Sequence, residues 1–197
     1  PDMTVKVAAN QEPLHYSSRI SQILFHELGH ASFYHKVGEV YYVRMMVATL
    51  NGGKTGYGNP PYLNWGMVQV SESWAEFIGT EYARIRYGTA GWKQSSMFGN
   101  NFINFTQFNQ EREDWFVNNW IPCGLYYDLM DNANLVFDEN AWDRVGGASA
   151  GEMYAVFNPY IESLCAYFQF FQGTYPTRFD FFDTQELFWH YPQVACF

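Results

Sequence analysis

The sequence predicts a mainly α domain with a small sheet at its front, an α+β protein. Apolar residues recur at helical spacing through Ile20, Ile23, Leu24, Leu28 and Ala31, and a second helical pattern covers residues 68–87. Strand formers gather instead at residues 3–7 and 40–50. Of 197 residues, 48% are hydrophobic and 20% aromatic, enough for a ring-packed core and too much for wholesale disorder.

Each element has its own signal. Ser17 or Ser18 can cap the first helix, and Gly38 is placed to stop it. Residues 40–50 read as a strand or hairpin arm. Residues 51–59 form a Gly-rich turn region, and Pro60-Pro61 bars a helix there. The 68–87 helix ends before Gly88, a third helix is expected over 102–118, and Pro122 opens a short one reaching Met130. Residues 131–147 are polar and read as loop. Ser149-Ala150-Gly151-Glu152 is a capping box. Pro159 interrupts that helix, an aromatic helix follows over 160–172, and Asp183-Thr184-Gln185-Glu186 opens the last one before Pro192. The chain reads as a single domain over 1–197, with a front lobe at 1–90 and a helical lobe at 91–197. It opens at Pro1 without Met or an apolar leader, as expected of a segment of a longer chain.

Eleven basic residues stand against twenty acidic ones, a net charge of −9. A chain this acidic is not expected to bind nucleic acid, which needs clustered cations. No apolar run approaches the roughly 18 residues of a membrane span. Cys123, Cys165 and Cys196 contain no C-x-x-C pair, which excludes a cysteine zinc knuckle and leaves room for one bridge. Acidity, few lysines and many rings fit an extracellular, periplasmic or cell-surface protein.

The chemistry concentrates in the first helix. His26-Glu27-Leu28-Gly29-His30 is H-E-x-x-H. Residues four apart on a helix differ by about 40° in azimuth, so both imidazoles leave one face and can grip one ion. Glu27, about 100° round from His26, can reach a water on that ion without taking a ligand position. A catalytic zinc site needs a third protein ligand and an open position. His35 points to the opposite face, and the metzincin extension fails because Phe33 and Lys36 stand where glycine and histidine are needed. On the second helix, Glu72 and Glu76 share a face. Glu72 suits the third ligand, and Glu76 can accept the second ring N–H of a ligand histidine.

His26, Glu27, His30, Glu72 and Glu76 together resemble the pattern of the gluzincin metallopeptidases, the class of the thermolysin-like and aminopeptidase-N-like enzymes. The tract Glu72-Ser73-Trp74-Ala75-Glu76 is similar to the E-x-x-A-E form of the aminopeptidase branch. The resemblance covers roughly residues 20–87. It implies a zincin-like fold, with an active-site helix under a small sheet and a helical C-terminal wall. It also implies Zn2+ on His26, His30 and Glu72, Glu27 as general base and a peptide or protein substrate. The 41 residues between His30 and Glu72 are about twice the usual gluzincin gap, which places a long flap beside the metal. The exopeptidase motif G-A-M-E-N is absent, so the implied activity is endopeptidase.

Gluzincins take an oxyanion-stabilising Tyr or His from the C-terminal part. Tyr126 and Tyr127 are the candidates, with core packing as their alternative role. Residues 57–65 are either a substrate-touching lid or a packed loop. Two further readings stay open: a non-catalytic binding or surface module that retains the zinc site, and a zinc hydrolase of a non-peptide amide.

Overall fold

The computed structural model describes residues 17–51, 64–87, 121–122, 124–130 and 144–191. These form helices α1 (Ser17–Asn51), α2 (Trp65–Tyr87), α3 (Leu125–Met130), α4 (Ala150–Val156), α5 (Leu164–Thr174) and α6 (Phe181–His190). No strand occurs among the described residues, so the expected α+β zincin-like domain with its N-terminal sheet is corrected to an all-helical one. Several sequence expectations lie outside the described residues: the strand at 3–7, most of the 51–59 turn and the 57–65 tract, the 102–118 helix, and most of the 131–147 loop.

The decisive correction is at residues 40–50, which are helix and not a strand arm. Their β-branched and aromatic side chains favour a strand locally, but packing overrides that preference. Val37, Tyr41, Met45 and Ala48 follow the helical period and are all buried, while Val40, Val43 and Leu50 are exposed. The Tyr41 hydroxyl also donates to the Ile161 carbonyl at 2.7 Å, tying this stretch to the segment before α5. Gly38 does break the helix, as its placement predicts. Its φ of 81° and ψ of 174° belong to a region almost exclusive to glycine, and α1 resumes beyond it.

α1 and α2 form an antiparallel hairpin. Gln22 pairs with Thr80, His26 with Glu76, His30 with Glu72, and Arg44 with Asn64. Two glycines let the backbones meet. A Cβ on Gly29 would lie 2.8 Å from the Ala75 Cα, and one on Gly79 would lie 2.8 Å from the Gln22 carbonyl oxygen. α2 is almost entirely buried along its first four turns because the C-terminal helices cover its far side. There Trp74 meets Tyr126 and Phe157, and Tyr126 meets Tyr167, at ring-centroid distances of 5.0 to 5.5 Å.

Each of the three C-terminal short helices has a side-chain N-cap. Ser149 and Glu152 form the reciprocal capping box of α4. Ser163 caps α5, and Asp180, three residues ahead of the expected start, caps α6. Cys165 on α5 is disulfide-bonded; Cys123 and Cys196 lie outside the described residues. No described helix is long and apolar enough to cross a membrane.

Candidate metal centre

The hairpin register decides which side chains meet. His26 and His30 leave α1 on one flank of its contact line with α2, and Glu72 and Glu76 leave α2 on the same flank. The His26 Nε2 and His30 Nε2 atoms lie 3.1 Å apart. One Glu72 carboxylate oxygen, Oε2, lies 3.6 Å from the first and 3.4 Å from the second. All three side chains are partly exposed, so the group has an open side toward solvent.

These separations fit one ion. A tetrahedral centre with bonds of about 2.0–2.1 Å holds its ligand atoms about 3.3–3.4 Å apart. An octahedral facial set with bonds near 2.1 Å would draw them to about 3.0 Å. The observed edges of 3.1, 3.4 and 3.6 Å span both values, so they fit a single small cation without selecting its geometry. Two imidazoles with one carboxylate suit a transition-type divalent cation better than calcium or magnesium, which take oxygen ligands. His26, His30 and Glu72 are the residues among those described that could together hold a metal.

The outer atoms of both rings are engaged. Glu76 Oε1 lies 3.2 Å from His26 Nδ1 and is placed to accept its proton, which leaves Nε2 aimed at the centre. His30 Nδ1 lies 3.0 Å from the Ser71 hydroxyl. With Ser71 accepting from His30, the His30 Nε2 lone pair, the Glu72 carboxylate and the His26 Nε2 edge face one space, and a cation bound there would displace the proton that His26 Nε2 otherwise carries toward them. The pKa of His26 reports the same field. Burial opposes its charged form, yet the Glu76 hydrogen bond and the charges of Glu76, Glu72 and Glu27 prevail and push it up to about 9.

No protein-family model, curated protein or solved structure matches the chain. The gluzincin resemblance therefore rests on five residues and their geometry. Of these, His26, His30, Glu72 and Glu76 come together, while the helical architecture of the described residues is not that of the zincin domain the motif implies. Glu27 is exposed beside them, and its charge acts on both His26 and Tyr42.

Tyr126 and Tyr127 occupy another region. Tyr126 is fully buried, with Trp74, Phe77, Phe157 and Tyr167 as ring neighbours, and its hydroxyl has no hydrogen-bond partner. Tyr127 packs against Phe77. Trp74 and Phe77 leave α2 about 140° to 160° from Glu72, so these tyrosines pack on the side of α2 away from the metal group. Asp128 beside them is buried and accepts a hydrogen bond from the Tyr191 hydroxyl.

The structure adds two residues that the sequence reading passed over. One is Ser71, immediately before Glu72. The other is Tyr42, half-buried, stacked edge-on against Tyr34 at 5.1 Å. Burial and then the Glu72 carboxylate push the Tyr42 phenol up to about 12; a Ser71 hydrogen bond opposes this and Glu27 adds to it. Its place on α1, between the His30–Ser71 and Arg44–Asn64 contacts, sets it along the same seam. Helical spacing from His30 through Tyr34 across Gly38 was the available signal, hidden by reading 40–50 as a strand.

Proposed function

We propose that the protein is a zinc-dependent hydrolase of peptide bonds, acting as an endopeptidase on peptide or protein substrates. The observation that carries this is the triangle of His26 Nε2, His30 Nε2 and Glu72 Oε2, with edges of 3.1 to 3.6 Å and a carboxylate, Glu27, exposed at its side. Zinc bound there supplies Lewis acidity and lowers the pKa of water toward neutrality. Glu27 takes the proton of the attacking water and delivers it to the leaving amine. Glu76 and Ser71 hold the two imidazoles in the tautomer that presents Nε2. Tyr42, which hydrogen-bonds Ser71 and lies within the field of Glu72 and Glu27, is the phenol we assign to the developing oxyanion.

A disulfide at Cys165 supports an extracellular, periplasmic or cell-surface location, since such bonds persist in oxidising compartments.

The second reading, a non-catalytic module that keeps the metal for structure, is favoured by one observation: the described residues are helical and include no sheet edge of the kind along which zincins align a peptide. The experiment is metal analysis and proteolysis of the full chain. About one zinc per chain is expected after purification without chelator. Cleavage of an unfolded casein-like substrate by the wild type, abolished in Glu27→Gln with zinc retained, supports the hydrolase. Zinc without any cleavage supports the module. A folded chain that takes up no zinc sinks both.

A further inference from the structure

On the other flank of the α1–α2 seam lies a cavity of about 460 Å³. Phe25 and Leu28 of α1, Trp74, Ile78 and Tyr82 of α2, and Tyr154 of α4 line it. On each helix these positions lie at least about 80° in azimuth from the metal-group residues of the same helix. The Gly29–Ala75 contact separates the two, so the cavity is no part of the metal centre.

Three features define what it would take. Its rings are already packed in pairs, Phe25 with Tyr82 at 5.4 Å and Trp74 with Tyr154 at 6.0 Å, so little reorganisation accompanies binding. Its interior polar groups are committed to one another. Trp74 Nε1 donates to the Ser32 hydroxyl at 3.0 Å, that hydroxyl donates to the Gly29 carbonyl at 2.7 Å, and the Tyr154 hydroxyl donates to the Ser32 carbonyl at 3.1 Å. A polar guest would lose its waters and find the interior groups of Trp74, Ser32 and Tyr154 already engaged, whereas an apolar guest orphans none of them. Finally, Leu28 and Tyr82 are about half exposed at the rim, which leaves an entrance. The volume falls within the roughly 300–1,000 Å³ of small-molecule sites and suits two or three fused or linked rings.

We propose that this cavity is a binding site for a neutral, ring-containing small molecule, held by aromatic contacts from α1, α2 and α4. The probe is N-phenyl-1-naphthylamine, a neutral dye whose fluorescence rises in apolar surroundings, titrated into the full chain. Saturable binding of one dye per chain is expected. Gly151 supplies the obstructing variant. It lines the cavity, and a Cβ there meets nothing closer than the Ser149 hydroxyl at 3.9 Å, so Gly151→Phe can fill the space from the first turn of α4 without a clash at Cβ. It should weaken binding at least tenfold. In the wild type, the dye should shift the methyl resonances of Leu28 and Ile78. Absence of saturable binding overturns the proposal. So does undiminished binding by a folded Gly151→Phe protein, or dye binding that leaves both methyl groups unmoved.

Discussion

Gly29 lies against Ala75 so closely that an added Cβ would sit 2.8 Å from the Ala75 Cα. Gly29 is the residue between Glu27-Leu28 and His30, and Ala75 is the residue before Glu76. A close approach of the two helices thus falls inside both halves of the metal group, where an added methyl would push histidines and carboxylates apart.

Gly29→Ala should therefore separate two effects that usually coincide. Alanine in a helix interior is worth up to about 1 kcal/mol over glycine. Here the clash is with backbone, which cannot swing aside, and overpacking of this kind costs about 1–3 kcal/mol. We expect a net loss of stability in urea unfolding of the metal-free protein. Zinc affinity should fall at least tenfold in competition with a chelator. Unchanged zinc affinity would show that the helix contact does not set the ligand geometry.

The outer contacts of the histidines make a graded prediction. Removing such a partner typically costs 10–100-fold in metal affinity. Glu76→Gln replaces a charged acceptor on His26 Nδ1, and Ser71→Ala removes a neutral partner of His30 Nδ1. Both should weaken zinc, Glu76→Gln more, because hydrogen bonds to ionised groups are roughly twice as strong as neutral ones. Isothermal titration with zinc against a competing chelator measures the order.

How far the sequence could be read follows from period. The azimuths of His26, His30, Glu72 and Glu76 are set by position along their own helices, so which of them share a face was legible without the fold. What was not legible was the path between His30 and Glu72. Val40-Tyr41-Tyr42-Val43 looks like strand residue by residue, and only burial of Tyr41, Met45 and Ala48 on one helical face shows otherwise. The long gap is a hairpin that runs on past the metal group, with Arg44 and Asn64 still in contact beyond it. The strand-like composition of residues 40–50 thus suggests a sheet arm where the described structure has helix, and it conceals Tyr42.

The two tyrosine readings make opposite predictions. Tyr42→Phe should lower kcat for peptide cleavage by about 10²–10³ while leaving zinc content and KM nearly unchanged, the signature of a donor used mainly in the transition state. Tyr126→Phe should leave activity intact. It should also stabilise the fold slightly, by up to about 1 kcal/mol, because it removes a buried hydroxyl that has no partner. The reverse pattern would return the role to Tyr126.

Glu152 supplies a pH test remote from the metal. The Ser149 backbone N–H, the Ser149 hydroxyl and Arg178 hold its carboxyl below the usual range. A folded-state pKa below the unfolded one means that the carboxylate stabilises the fold at neutral pH. That contribution is lost as pH falls from the ordinary glutamate range through the lowered folded value. Glu152→Gln should cost about 0.2–1 kcal/mol at pH 7, since glutamine at this position keeps the capping box and only the charge facing the exposed Arg178 is lost. The gap between variant and wild type should close in acid. Urea unfolding of both proteins at pH 7 and at successively lower pH measures it, and a gap that persists at the acid end would mean that the side chain acts through packing and not through its charge.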